Sequence, residues 1–205
     1  MGAPVAGDGV NHRPAAPRTA DEPSPAPGMR SDDLLPLVRH MEWADALMWR
    51  AVLGLPPAGA VEPTLRERLF HVHLVQRAYL ATWRGVPLTE FPDPAQFADL
   101  AALGAWARPY YAEAAALVSA ADAAALARPV HVPHSERLAP PGGAVTPASF
   151  AETVLQVTSH TTYHRGQVAM QVRALGGEPP LTDFVTWIWL GRPAPAWADA
   201  VVAAR

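Results

Sequence analysis

The sequence predicts an all-α protein built as a four-helix bundle. Four long stretches repeat apolar residues at 3–4 spacing, the period of a single buried helix face. Proline- and glycine-rich segments separate them, as helix breakers do. At 205 residues the chain is long enough for one domain with a sizeable core. Hydrophobic residues make up 50 % and charged residues only 17 %, a globular balance, and the 23 prolines gather in the N-terminal stretch and the connections.

The first segment, 1–29, is Pro, Ala, Gly and Asp without periodicity. It cannot bury enough apolar area to offset its ordering entropy, so it is expected to be a disordered tail ahead of a bundle domain at 30–205. Ser31, Asp32 and Asp33 form an N-terminal helix signal. Leu34, Leu37, Val38, Met41, Ala44, Leu47 and Met48 then make an apolar stripe, giving helix one over about 32–53. Thr64 and Glu67 form a capping-box pattern opening helix two over about 64–84, with Gly85 placed to end it. Phe97, Leu100, Leu103, Trp106, Tyr110, Leu117 and Val118 mark helix three within 96–128, bent or broken near Pro109. The segment 129–147 holds a Pro-Gly-Gly turn between β-compatible pieces and reads as a short irregular hairpin or loop. Helix four opens at Thr146 or Ser149 and runs to about Leu175. Phe184, Trp187, Ile188 and Trp189 form an apolar run that caps the bundle or enters a dimer interface, and a short helix is expected around 195–203.

Net charge is −3, so the chain lacks the basic footprint of a nucleic-acid binder or a polybasic membrane patch. No apolar run is long enough to span a bilayer, and no signal-peptide pattern is seen, so a cytoplasmic location is expected. Cysteine is absent, which excludes disulfides, thiolate metal sites and a cysteine nucleophile.

Chemistry concentrates in helix four. His160 and His164, at i and i+4, share one helix face with Cβ atoms roughly 5–6 Å apart. Two imidazoles so placed can close on one divalent cation, but a third ligand must come from elsewhere. Helix two offers H-V-H. Residues two apart face roughly opposite sides, so only one of His71 and His73 can join a given site. His71 shares a stripe with Phe70, Leu74, Ala78 and Ala81, and is read as the buried one; His73, beside Arg66, Gln76 and Arg77, is read as meeting solvent. His131 and His134 are read as surface or supporting residues. His71, His160 and His164 together offer three neutral nitrogens, a set suited to Zn²⁺ or Ni²⁺ with an open position. Gly166, costly inside a helix, is read as a point where another helix or a ligand comes close.

Three stretches carry a family resemblance: R-L-F-H-V-H-L-V-Q-R-A-Y-L-A-T-W-R-G from Arg68, S-H-T-T-Y-H-R-G-Q-V from Ser159, and R-A-L-G-G-E-P-P-L-T-D-F from Arg173. With E-W-A-D-A-L in helix one, they resemble the DinB superfamily over about residues 33–190. The resemblance implies an up-down-down-up four-helix bundle, often a homodimer, with a metal triad that maps onto His71, His160 and His164. Gln76 departs from the acidic residue that many members carry there, and no general base is evident; Glu67 is the nearest acidic residue. The resemblance implies a metal-dependent hydrolase or a transferase using a low-molecular-weight thiol, acting on a small molecule. Tyr163, Gln167, His40 and Trp43 are expected around its pocket, and Arg165 is expected to reach a carboxylate or a helix end. The competing reading is a stress-response protein that binds metal or a small ligand without turnover.

Overall fold

The computed structural model describes residues 28–60, 62–86, 92–132, 135 and 145–203. Residues 1–27 of the expected tail and His134 lie outside these residues, while Met29 packs against the bundle core. The elements are α1 (Ser31–Leu53), α2 (Pro57–Ala60), α3 (Pro63–Trp83), a 3₁₀ turn (Pro94–Gln96), α4 (Leu100–Ala107), α5 (Pro109–Ala120), α6 (Ala123–Ala127), β1 (Pro129–Val130), β2 (Ala148–Ser149), α7 (Phe150–Ala174), α8 (Phe184–Trp189) and α9 (Asp199–Ala203). The strands pair antiparallel, Pro129 opposite Ser149; most of the expected hairpin or loop between them, with its Pro-Gly-Gly turn, lies outside the described residues. Among the described residues no helix is long and apolar enough to cross a membrane.

Two apolar clusters set the helix directions. In one, Leu34 and Val38 from the start of α1 meet Trp83 from the end of α3, Val118 from α5 and Phe150 from the start of α7. In the other, Trp49 and Val52 from the end of α1 meet Leu65 and Leu69 from the start of α3, Leu103 from α4 and Val172 near the end of α7. Helices α1 and α7 therefore run one way, and α3 and the α4–α5 rod run the other. This is the up-down-down-up order. The helix pairs α1–α5, α1–α7 and α3–α7 form the principal packing seams.

Local chemistry accounts for the helix boundaries. The expected Thr64–Glu67 capping box does not form. Glu62 caps α3 instead, its carboxylate accepting from the Leu65 N–H at 2.6 Å, with Pro63 supplying a first turn that needs no donor. Helix three is divided rather than merely bent: Asp99 caps α4, Pro109 opens α5, and Asp122 caps α6. Ser149 and Glu152 form a true capping box at α7. Gly176, at φ 83°, takes the left-handed conformation that ends it. The expected C-terminal helix is the short α9, whose Val201 packs so closely on Gly104 that a Cβ there would lie 2.9 Å from it.

The centre of the bundle is polar. Asp45 and Arg165 are 5 % and 4 % exposed and pair at 2.8 Å. Arg165 thus reaches a carboxylate, as expected. The other Asp45 oxygen accepts from the Tyr111 hydroxyl at 2.6 Å and the Gln76 amide at 3.3 Å. Gln76 also donates to Thr161, while its carbonyl lies 2.8 Å from His73 Nδ1. The Trp49 indole donates to His73 Nε2 at 3.0 Å. An indole N–H can only donate, so Nε2 is the acceptor and Nδ1 carries the proton. The network thereby runs from an obligate donor, Trp49, to an obligate acceptor, Asp45. It ties α1, α3, α5 and α7 together.

This network overturns the expected placement of the two α3 histidines. His73, expected in solvent, is 2 % exposed, and His71, expected to be buried, is exposed. The network also explains Gln76. An amide can accept from His73 and donate to Asp45 at once, whereas a carboxylate would face Asp45 with like charge.

Removing one member of a buried ion pair strands the other charge, at a cost of about 3–5 kcal/mol. Asp45→Ala should lower unfolding stability by that amount in urea titrations, with Arg165 left unpaired. Gly166 behaves differently. No element approaches it, since an added Cβ would meet nothing within 4 Å. Gly166→Ala should therefore raise stability by about 0.8–1 kcal/mol, the helix-propensity difference, in the same assay.

Candidate metal centre

His71 on α3 faces His160 and His164 on α7 across their shared groove. The ring centroids are 5.3 Å apart for His71 and His160, 4.7 Å for His71 and His164, and 4.3 Å for His160 and His164. One ligand nitrogen from each ring lies within 4.8 Å of the others. Small rotamer changes bring such atoms to the ~3.4 Å separation that metal–nitrogen bonds of about 2.1 Å require. His71 is exposed and the other two half-buried, so the centre is open to small molecules from solvent.

Helix phase delivers these rings. Val157, Thr161, Arg165, Val168 and Val172 form the buried stripe of α7. His160 and His164 sit on its α3 flank, about 90° round the helix at 3.6 residues per turn. On α3, turning His73 inward to Trp49 turns His71 out into the groove.

The surroundings favour neutral imidazoles. His160 is pushed down to about 4 by burial first, then by His164 and His71. Burial, with help from His164, also lowers His71. Gln167 lies one turn beyond His164, its side-chain oxygen 2.9 Å from His164 Nδ1. The amide oxygen accepts the Nδ1 proton and leaves Nε2 with a lone pair for a metal. This is the usual way in which supporting contacts set a ligand's tautomer. Arg68 straps the groove by donating to the Gln167 carbonyl at 3.3 Å.

The donor set fits a divalent cation. His160 Nδ1 is buried with no hydrogen-bond partner among the described residues. A buried polar nitrogen left so is uncommon and calls for an explanation. A coordinate bond made through Nδ1 would give that nitrogen a partner. No carboxylate belongs to the cluster, so the set is three neutral nitrogens, suited to a borderline cation rather than to Ca²⁺ or Mg²⁺.

Of the other expected site residues, Gln167 and Tyr163 touch the triad. Tyr163 meets His164 edge-on at 5.1 Å, yet it also lines a cavity on the opposite flank of α7 together with His40. Trp43 is buried against Trp187 in the core. His131 and Glu67 are exposed. The residue that sequence reasoning passed over is Asp45. Its signal was a charge in line with Met41, Met48 and Val52 on the buried stripe of α1.

Acid should weaken the metal-free fold. The folded-state pKa of His160 lies below the ordinary 6.5, so the unfolded chain takes up a proton first as pH falls. The stabilisation is present above pH 6.5 and is lost as pH falls toward 4. Urea midpoints measured at pH 7 and pH 5 should drop in the wild type and drop less in His160→Gln. Gln167→Ala should weaken metal affinity about 10–100-fold by freeing the His164 ring, as read by competition with a chelating dye.

Sequence comparison agrees with the geometry. A model of the DinB family matches residues 29–195, which takes in every bundle helix and all three histidines. No curated protein matches the chain. With the up-down-down-up bundle and the facing histidines already established, the match over residues 29–195 settles the classification: the chain belongs to the DinB family.

Proposed function

We propose that the protein binds a divalent metal ion, Zn²⁺ or Ni²⁺, through His71, His160 and His164. We further propose that it is a metal-dependent enzyme acting on a small molecule. The observation that carries this is the convergence of three imidazoles from two helices, one of them with an otherwise unpartnered buried nitrogen. When bound, such an ion supplies Lewis acidity toward a thiol, water or carbonyl.

The protein's own residues do the rest. Gln167 holds the His164 tautomer. The exposed His71 leaves the centre open on its solvent side. Along the same groove, Tyr79, Thr153 and Gln156 line a cleft of about 410 Å³ beneath the 146–148 segment. Gln156 is one turn from His160, about 6 Å along the axis at 1.5 Å per residue. The cleft is placed to hold the organic part of a substrate, and burial keeps the Tyr79 phenol in its neutral form by pushing its pKa up.

The chemistry favours a low-molecular-weight thiol as cosubstrate, hence a thiol-dependent transferase. A thiol, with an ordinary pKa of about 8.5, needs little help to ionise, whereas water needs a metal and usually a base. Among the described residues the triad cluster offers no carboxylate for that base. A metal-dependent hydrolase is the second reading, in which an imidazole or the substrate itself handles the proton.

Elemental mass spectrometry of the purified protein should find about one Zn or Ni per chain, with loss in His71→Ala and in His164→Ala. Retention of metal in both variants would remove the site. With metal bound, conjugation of a small thiol to an electrophile should proceed only in metal-replete protein; ester or amide hydrolysis without thiol would favour the second reading.

A further inference from the structure

A cavity of about 690 Å³ lies on the flank of α7 opposite the triad. His40 of α1, Tyr163, Arg165 and Gly166 of α7, and Asp183 and Phe184 at the start of α8 are among its walls. The buried stripe of α7 separates it from the metal centre.

Two of these walls are buried polar side chains held from behind. His40 is 7 % exposed, and its Nε2 lies 2.9 Å from the Thr182 carbonyl oxygen. A carbonyl only accepts, so Nε2 carries the proton and Nδ1 is left as the acceptor. Burial lowers the His40 pKa and keeps the ring neutral. Arg165 is already matched by Asp45 at 2.8 Å. Asp183 stands at the N-cap position of α8 but makes no capping hydrogen bond through its side chain.

The charges then add simply. Arg165 and Asp45 cancel, His40 is neutral, and the Asp183 carboxylate leaves the cavity negative. Aromatic faces flank the mouth: Tyr163 is 66 % exposed, and Phe184 meets His40 edge-on at 5.1 Å. An anion finds no unmatched cation among the described lining residues, and the Asp183 carboxylate, exposed to water, gains a direct ion pair only from a cation. A carboxylate, an imidazole acceptor and two aromatic rings are the complement of an ammonium group with a hydrocarbon body.

We propose that this cavity is a second, metal-independent binding site for a small organic amine in its ammonium form. The ammonium donates to the Asp183 carboxylate and His40 Nδ1, and its hydrocarbon part lies against Tyr163 and Phe184. Gly166 leaves the space for it, since a Cβ there meets nothing within 4 Å.

The test is calorimetric titration of the full chain with benzylammonium chloride, beside benzyl alcohol as the neutral isostere. Saturable binding of the ammonium at one site per chain is expected, with the alcohol at least tenfold weaker. Asp183→Asn should weaken ammonium binding at least tenfold. Gly166→Met, whose Cβ meets nothing within 4 Å and whose longer side chain starts from the cavity wall, should do the same. Binding should persist in metal-stripped His164→Ala. No saturable binding, equal binding of the alcohol, or indifference to both cavity variants would overturn the proposal. Loss of binding in His164→Ala would also overturn it, by moving the ligand to the metal centre.

Discussion

The ion pair between Asp45 and Arg165 is the constraint on which the other features rest. A buried charge is tolerable only when its partner and its remaining lone pairs are supplied. Asp45 obtains them from three other helices: a guanidinium, a phenol and an amide. Each donor must hold its own helix at one rotation to reach the carboxylate. Arg165 turned inward sets His164, its neighbour in sequence, on the α3 flank of α7. Gln76 and His73 turned inward set His71 in the groove opposite. The surface histidines are thus positioned by a contact in the interior that none of them touches.

Helix α7 carries two different chemistries on its two flanks. Toward α3 it presents two imidazoles: burial lowers the pKa of His160, and a glutamine fixes the tautomer of His164. Toward α1 and α8 it borders a cavity whose residual charge is a carboxylate and whose rim is aromatic. The interior stripe of Val154, Val157, Thr161, Arg165 and Val168 lies between them. One helix can serve both because the steps of 3 and 4 that build each flank run on opposite sides of that stripe; Tyr163, on the solvent side, is the one named residue that touches both.

Much of this was legible in the sequence, and the parts that were not share a physical cause. Helix lengths and the His160–His164 pair follow from local periodicity. The third ligand came from the H-V-H motif together with the family resemblance. The motif itself shows only that His71 and His73 part company, not which one turns inward. That choice is made by Trp49 and Asp45 on another helix, distant in sequence, so periodicity along α3 alone pointed the wrong way. The cap of α3 was misplaced for a related reason: Glu62 and Thr64 both have suitable oxygens, and Pro63 at the first helical position decides between them. The division of the third helix did have local signals, in Asp99 and Asp122, which an alanine-rich background obscured. Gly166 suggested a close approach by another helix or a ligand; no helix makes it, and the space above it is open.

The triad spans two helices whose ligands lie far apart along the chain, His71 on α3 and the pair on α7. An ion held there closes a loop of about ninety residues, the kind of long-range link that costs an unfolded chain most in lost entropy. A ligand that binds only the folded state adds about 2.7 kcal/mol at a hundred times its dissociation constant. That is a large fraction of the 5–15 kcal/mol that keeps an ordinary domain folded. If the triad holds an ion, the lifetime of the polypeptide would be a function of free metal concentration. In a metal-starved cell the apoprotein would then be the more readily unfolded and degraded form, so that abundance would follow metal supply.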